Sequence, residues 1–265
     1  MTSAKDIVVK PIKASAANEL VKRVHYSGKV VMNSTLHLGV FLNDKLEGVM
    51  SFGSPMDKKK ILPLVAGTGW NGMLELNRMA FSDVLPRNSE SRALAVAFKL
   101  IKKHYPHIEW VLSFSDGTQC GDGTIYRASG FVLTQIKKNT SLYDTPSGVP
   151  IANMTWDSAT PERRVALAKQ YGIHEFDSAC FLSKTAKING MKSLDGYQLR
   201  YIYFLNTKAR ERLTVPVLPF SKIDEIGAGM YKGKPKRLTE ANTDAQSVSG
   251  GATPTKALQS EEGLL

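Results

Sequence analysis

The sequence predicts an α/β fold built on a mixed, mostly antiparallel central sheet flanked by helices. Three observations point there. Short stretches of strand-like alternation are interspersed with stretches of helical periodicity, in the order strand, helix, three strands, helix, strand, helix, strand. Leu36 to Leu42 and Leu46 to Phe52 both read as strands, and the Asn43-Asp44-Lys45 link between them is too short for anything but an antiparallel hairpin. Other strands are separated by helices, which brings crossovers into the same sheet and makes it mixed.

Taken in order, Val8 to Ile12 is a first strand and Ser15 to Val24 a helix with Leu20, Val21 and Val24 on one face. His25-Tyr26-Ser27-Gly28 is a polar elbow. After the hairpin, Gly53 to Gly72 reads as a loop carrying Lys58-Lys59-Lys60 and Trp70. Met73 to Phe81 is a further strand, and Asp83 to Glu90 a polar stretch containing Pro86. Ser91 to Tyr105 is the clearest helix. Leu94, Phe98 and Ile101 line one face, Ala95 and Ala97 allow close packing, and Lys99, Lys102 and Lys103 lie toward the negative end of the dipole. Trp110 to Phe114 is an apolar strand, a short helix carries Tyr126, and Phe131 to Lys137 is the next strand. Pro146 to Pro150 is a loop. Thr160-Pro161-Glu162 starts a helix, with threonine as cap, proline in the first turn and glutamate on the dipole; Gly172 ends it. Tyr197 to Leu205 is a strong strand and Thr207 to Leu213 a short helix. These readings divide the chain into a core over residues 1–144 and an insertion over 145–196. The last core strand with a basic extension covers 197–237, and an aperiodic tail expected to be disordered covers 238–265.

With 265 residues, 42% hydrophobic and 22% charged, the composition fits a globular enzyme. The formal net charge of +11 suggests an anionic partner, nucleic acid first. Two cysteines, Cys120 and Cys180, argue against a disulfide scaffold, exclude a multi-cysteine zinc module and fit a reducing cytoplasm. No apolar stretch is long enough to span a bilayer, and no signal-type block opens the chain, so a cytoplasmic protein without a membrane partner is expected.

The segment that points to chemistry runs from Ser113 to Phe131. A buried strand ends in Ser113, Ser115 and Asp116, and a glycine-rich turn then delivers Tyr126 on a helix stopped by Gly130. So many hydrogen-bonding side chains at a strand's end read as an active site. Asp116 is a candidate base or orienting group, against which stands an ordinary role in closing a turn. Arg78, on a strand among Leu76 and Ala80, needs an anionic partner: a donor carboxylate, a phosphate or Asp116. Tyr126 is a candidate proton donor or a core tyrosine. His25 is a candidate acid, base or metal ligand. A metal, iron by the donor set, is conceivable on His25 and Asp116 with Asp122 and Cys120, although no compact ligand spacing supports it.

The element order resembles the GNAT acyltransferase fold, and Ile125-Tyr126-Arg127-Ala128-Ser129-Gly130-Phe131 is similar to that superfamily's Tyr-x-x-x-Gly-Phe element, whose tyrosine protonates a departing thiolate. Its coenzyme A turn corresponds here to Leu85 through Arg92, which contains no glycine; the helix N-terminus with Arg87 and Asn88 is the remaining place for phosphate. A closer resemblance covers nearly the whole chain except the tail. It is carried by His25-Tyr26-Ser27-Gly28-Lys29, Glu75-Leu76-Asn77-Arg78, Leu85 to Arg92, Ser113 to Phe131, and Leu213 to Phe220 with Gly227 to Pro235. These look like the Mom family of Mu-like phages. The resemblance implies a transferase that places a carbamoylmethyl group on the exocyclic nitrogen of adenine in double-stranded DNA, shielding phage DNA from host restriction. It implies His25, Tyr26, Arg78, Asp116 and Tyr126 as functional residues, with Ser113 beside them; Ser115 joins them as a substrate-binding candidate from the strand-end reading.

That product suggests a donor. If a glycyl group is first transferred through its carbonyl to the adenine nitrogen, its free amine can attack C6 through a small spiro ring. Ring opening then leaves glycinamide attached through its own nitrogen. An aminoacyl donor such as glycyl-tRNA suffices; an acyl-coenzyme A is the other candidate. Adenine must leave the duplex to reach a pocket. Lys58-Lys59-Lys60, Lys137-Lys138, Arg163-Arg164 and Lys232 to Arg237 are candidate phosphate contacts, and Trp70, Trp156, Tyr201 and Tyr203 candidate stacking residues. Two other classes stay open: an acetyl-coenzyme A-dependent N-acetyltransferase, and a non-catalytic nucleic-acid-binding protein.

Overall fold

The computed structural model describes residues 2–231 and 234–235. The strands are β1 (Val8–Pro11), β2 (Ser34–Leu42), β3 (Lys45–Gly53), β4 (Met73–Phe81), β5 (Trp110–Asp116), β6 (Val132–Lys138), β7 (Leu142–Tyr143), β8 (Ile151–Ala152), β9 (Tyr197–Phe204), β10 (Met230–Tyr231) and β11 (Lys234–Pro235). The helices are α1 (Ala14–Val24), α2 (Lys58–Ile61), α3 (Ser89–His104), α4 (Thr124–Ala128), α5 (Asn153–Asp157), α6 (Pro161–Tyr171), α7 (Leu182–Ile188), α8 (Thr207–Arg210) and α9 (Ser221–Glu225).

Seven strands form one sheet in the order β1-β2-β3-β4-β5-β9-β6. Every neighbouring pair is antiparallel except β4 and β5, which are parallel and joined through α3. The expected mixed, mostly antiparallel architecture is therefore present. The β2–β3 turn places Asn43 and Asp44 at φ 50° and 60°, the left-handed pair that matches a hairpin's twist. The strand over Tyr197–Phe204 enters between β5 and β6, and so closes the sheet with a segment far downstream of both.

α3 covers one face. Leu94, Phe98 and Ile101 are buried as their spacing predicts, but Ala93, not Ala95, accompanies Ala97; Ala95 is exposed. The reason is register, since 93, 97 and 101 lie one turn apart on the same stripe. On the other face α1 packs on Val49 and Ala80, and α2 with the following 3-10 turn packs on Met73, Trp110 and Leu112. The stretch from Gly53 to Gly72 is thus not a plain loop, because Asp57 caps a helical turn through the backbone of Lys60.

Between β6 and β9 the chain builds a separate apolar cluster of Ile151, Trp156, Leu167, Ala168, Tyr171, Ile173 and Leu182. α6 begins and ends as its sequence dictates, on the Thr160 cap, Pro161 and a left-handed Gly172. Two expected surface roles fail here. Trp156 is wholly buried, and Arg164 is buried with its guanidinium donating to four backbone carbonyls, those of Trp156, Asp157, Ser178 and Cys180, at 2.7–3.1 Å. Tyr201 is likewise inside, its hydroxyl donating to the Asp122 carbonyl. None of these three reaches a nucleic acid. Replacing Arg164 with Met strands those carbonyls, so thermal unfolding is expected to show a loss of about 2–3 kcal/mol; an unchanged melting temperature would show the network to be idle. The tail over 238–265 and the basic residues Lys232, Lys236 and Arg237 lie outside the described residues.

Candidate functional site

β4 and β5 pair only over Met73–Glu75 and Trp110–Leu112, then part. Both continue, β4 to Phe81 and β5 to Asp116, with β5 taken up by β9. The gap between them is a cleft of about 740 Å³. Its wall includes His25, Tyr26, Glu75, Arg78, Asp116 and Tyr126. The fork thus brings together all five residues implied as functional, from the end of α1, from β4, from β5 and from α4.

Tyr126 is delivered by backbone geometry. α4 starts after Gly123, whose φ of +82° is left-handed and whose missing Cβ would stand 2.5 Å from the Tyr201 ring. The helix ends at Ser129, and Gly130, also at φ +82°, turns the chain into the strand. The Tyr126 ring then sits 5.1 Å from Phe131 and 5.2 Å from Tyr201. Burial pushes its hydroxyl up to about 12, so it keeps its proton through neutral pH. Ser113, fully buried beside it, pulls the other way, yet its hydroxyl makes no well-directed hydrogen bond among the described residues.

Asp116 closes a turn. One carboxylate oxygen accepts from the Thr118 N–H at 2.9 Å and from Asn139 at 3.3 Å; the other accepts from Gln119 at 3.3 Å. Its backbone carbonyl accepts from the Cys120 N–H at 2.8 Å. The carboxylate therefore shapes the loop that carries Cys120 into the cleft. Ser115 does similar work, since its hydroxyl donates to the Gly121 carbonyl. Asp122 is buried against Arg127 at 3.5 Å.

Glu75 is the residue that sequence reasoning passed over. It lies on β4 where the two strands part, and burial raises its carboxyl to about 7 even though Asn77 and Arg78 pull it down. A carboxylate whose pKa sits at neutrality in a cleft is poised to accept a proton. The available signal was a glutamate between Leu74 and Leu76 on an inner strand, the same oddity that marked Arg78.

Arg78 donates from Nε to the Lys29 carbonyl at 2.8 Å and from Nη1 to the Asn77 carbonyl at 2.7 Å. It tethers the elbow after α1 to β4. In that elbow burial, with the nearby Arg78 charge adding to it, lowers His25 to about 4, so the ring is neutral at pH 7 and is no store of protons. Its Nδ1 faces the Ser27 hydroxyl at 2.8 Å and accepts the Ser27 N–H at 3.2 Å, which leaves the proton on Nε2. Tyr26 lies 4.2 Å from this ring between centroids and borders the cleft, where partial burial, with the Asp116 charge adding to it, raises its hydroxyl above the ordinary range.

Arg87 and Asn88 line a smaller cavity of about 370 Å³ at the start of α3, with Glu90 and Thr124 on the walls of both cavities. Asn88 holds the left-handed position before the helix at φ 69°. Among the described residues no three His, Cys, Asp or Glu side chains converge as a metal site. With Asp116 engaged by three donors and Asp122 by Arg127, these residues do not fit the iron considered from sequence.

The model of the Mom protein family matches residues 6–222. The chain is 34% identical over 223 residues to methylcarbamoylase mom of Escherichia phage Mu, covering 83% of this chain and 85% of that protein. Among solved structures, FeeM, an N-acyl amino acid synthase from uncultured soil microbes, aligns with a TM-score of 0.41 at 13% identity, over 78% of this chain and 95% of its own. The ribosomal-protein-S18-alanine N-acetyltransferase from Escherichia coli aligns with a TM-score of 0.39 at 10% identity, over 76% of this chain and 95% of its own.

Proposed function

The chain belongs to the Mom protein family, and from that premise we propose that it places a carbamoylmethyl group on the exocyclic N6 nitrogen of adenine in DNA. The observation that supports this reading best is the pairing, in one cleft, of a carboxyl at about 7 with a hydroxyl at about 12. Two titratable groups pushed apart in this way suit opposite proton roles at one reacting centre. Adenine's amino group is a weak nucleophile, because its lone pair is delocalised into the ring. It needs an acceptor for its proton as it attacks, and the departing group needs a proton back.

In this reading Glu75 accepts the N6 proton as nitrogen bonds to the donor's carbonyl carbon, and Tyr126 donates to the leaving atom as its bond to that carbon breaks. One proton thus passes, in net, from N6 to the leaving group. Arg78 fixes the elbow so that His25 and Tyr26 border the acceptor. Asp116 holds the Thr118–Cys120 loop and acts as a positioning residue. A base stacked and paired inside a duplex cannot bring its amino group into a cleft, so in this reading the adenine is extruded.

The donor is an activated acyl compound, and a glycyl ester such as glycyl-tRNA fits the product best. After acyl transfer the glycyl amine attacks C6 and closes a five-membered spiro ring. The C6–N6 bond then breaks, which leaves C6–NH–CH2–CO–NH2 with the original N6 in the terminal amide. An acyl-coenzyme A is the alternative, with Arg87 and Asn88 at the start of α3 as its phosphate site. Mass spectrometry of nucleosides from DNA of cells expressing the chain is expected to show carbamoylmethyl-deoxyadenosine; DNA that stays unmodified beside abundant folded protein overturns the reading. DNA carrying nitrogen-15 at adenine N6 tests the route. The label is expected in the terminal amide, and label retained on the ring-attached nitrogen excludes the rearrangement.

A further inference from the structure

Of the four aromatic residues that the sequence marks for stacking, Trp156 and Tyr201 are wholly buried and Tyr203 is packed on Phe98 at 4.0 Å between centroids, but Trp70 is 58% exposed. It stands at the tip of Gly67-Thr68-Gly69-Trp70-Asn71-Gly72, which is held firmly from inside. The Thr68 hydroxyl donates to the Val65 carbonyl at 2.6 Å and accepts the indole N–H of Trp110 at 3.0 Å, and the Gly72 N–H donates to the Gly69 carbonyl at 2.8 Å. A tip so braced presents its indole to solvent by construction.

The run Lys58-Lys59-Lys60 reaches it through Lys58. Lys58 Nζ lies 4.8 Å from the indole centroid, and Lys59 is exposed; Lys60 is paired with Asp57 at 2.8 Å. Lys58 donates to the Asn71 side-chain oxygen at 3.4 Å, and neither it nor Lys59 pairs with a carboxylate among the described residues. An exposed indole beside such lysines is the chemistry that tracks a nucleic acid strand, with cations on phosphates and a ring on a base or sugar.

The patch also has the right address. α2 and its following turn pack, through Leu64 and Val65, into a cluster that Phe114 joins, and Phe114 also lines the cleft. Trp70 precedes Glu75 by five residues, so the chain holds the two within about 17 Å. Lys58 follows by five residues Gly53, the β-partner of Glu75. At one helical turn per about 34 Å, such a contact falls within half a turn of a base in the cleft.

We propose that Trp70 with Lys58 and Lys59 is a docking surface for the DNA duplex flanking the target adenine, lysines on phosphates and the indole on the face uncovered when the adenine leaves the stack. This rests on DNA being the substrate. The chain has three tryptophans, of which Trp110 and Trp156 are fully buried, so a ligand at the patch is reported selectively by Trp70 emission. Titration with duplex DNA is expected to quench the wild-type emission saturably, and W70F to abolish that quench while weakening binding several-fold by anisotropy of a labelled duplex. K58A/K59A is expected to lower the slope of log affinity against log salt by about 2. Trp70 and Lys59 are exposed and Lys58 is half-buried, and unchanged melting temperatures check the folding of both variants. If the wild type binds and modifies DNA but W70F keeps the quench, or K58A/K59A keeps the slope, the docking surface is wrong and the DNA reading survives. Quenching by tRNA and not by duplex overturns the proposal by assigning the patch to the donor. A wild-type chain that neither binds nor modifies DNA removes the DNA reading, and this surface with it.

Discussion

Replacing Glu75 with Gln is expected to slow adenine modification about 10³-fold while leaving the protein as stable as before or more so. The two effects have one cause. Burial raises this carboxyl to about 7 from its ordinary 4.5, so the folded chain binds its proton more tightly than the unfolded chain does. Between those values the unfolded state carries the greater negative charge, and stability falls as pH rises through the window. Above pH 7 the whole penalty, up to about 3 kcal/mol, is present. Glutamine is isosteric and never ionises, so it removes the penalty together with the proton acceptor. Losing a general base in a positioned site costs 10²–10⁴-fold. Melting curves at pH 8 alongside single-turnover modification separate this from simple unfolding: a variant that is inactive and less stable would show that Glu75 serves the fold.

Tyr126→Phe is expected to cost about 10²-fold. Its ring contacts with Phe131 and Tyr201 remain, so the fold is retained. Only the hydroxyl goes, and with it the proton for the leaving group. That role makes a further demand which a packing role does not. The deficit should shrink as the donor's leaving group becomes more acidic, because such a group departs without a proton. A series of glycyl esters or thioesters of graded leaving-group acidity measures it. An equal loss across the series would mean that Tyr126 shapes the pocket and transfers no proton.

The sheet was legible because its signals are local. The Asn43-Asp44 turn, the apolar stripe of α3 and the Thr160-Pro161 start each declare themselves within a few residues. The insertion of the Tyr197–Phe204 strand between two earlier ones has no local signature; it follows from which edges remain unpaired. The site was legible in the same uneven way. Tyr126 and Arg78 stand out by residue type, and the fold does bring them to one cleft. Glu75 was hidden because a glutamate acquires its chemistry from burial, and burial at that position depends on where β4 and β5 separate. Asp116 shows the converse: conspicuous beside its glycine, it turns out to be held by Thr118 and Gln119 of its own turn and by Asn139 just past β6. Arg164 and Trp156, candidates from sequence for phosphate contact and base stacking, are buried because the segment between β6 and β9 forms an apolar cluster of its own.

The most direct measurement is the pH dependence of single-turnover DNA modification, wild type against E75Q. Proton acceptance by Glu75 in the forked cleft requires a wild-type rate that climbs with pH to a plateau, with a midpoint near 7, and a small E75Q rate with no inflection there. An inflection near 7 that persists in E75Q would contradict it, as would a wild-type rate that is flat between pH 5 and 9.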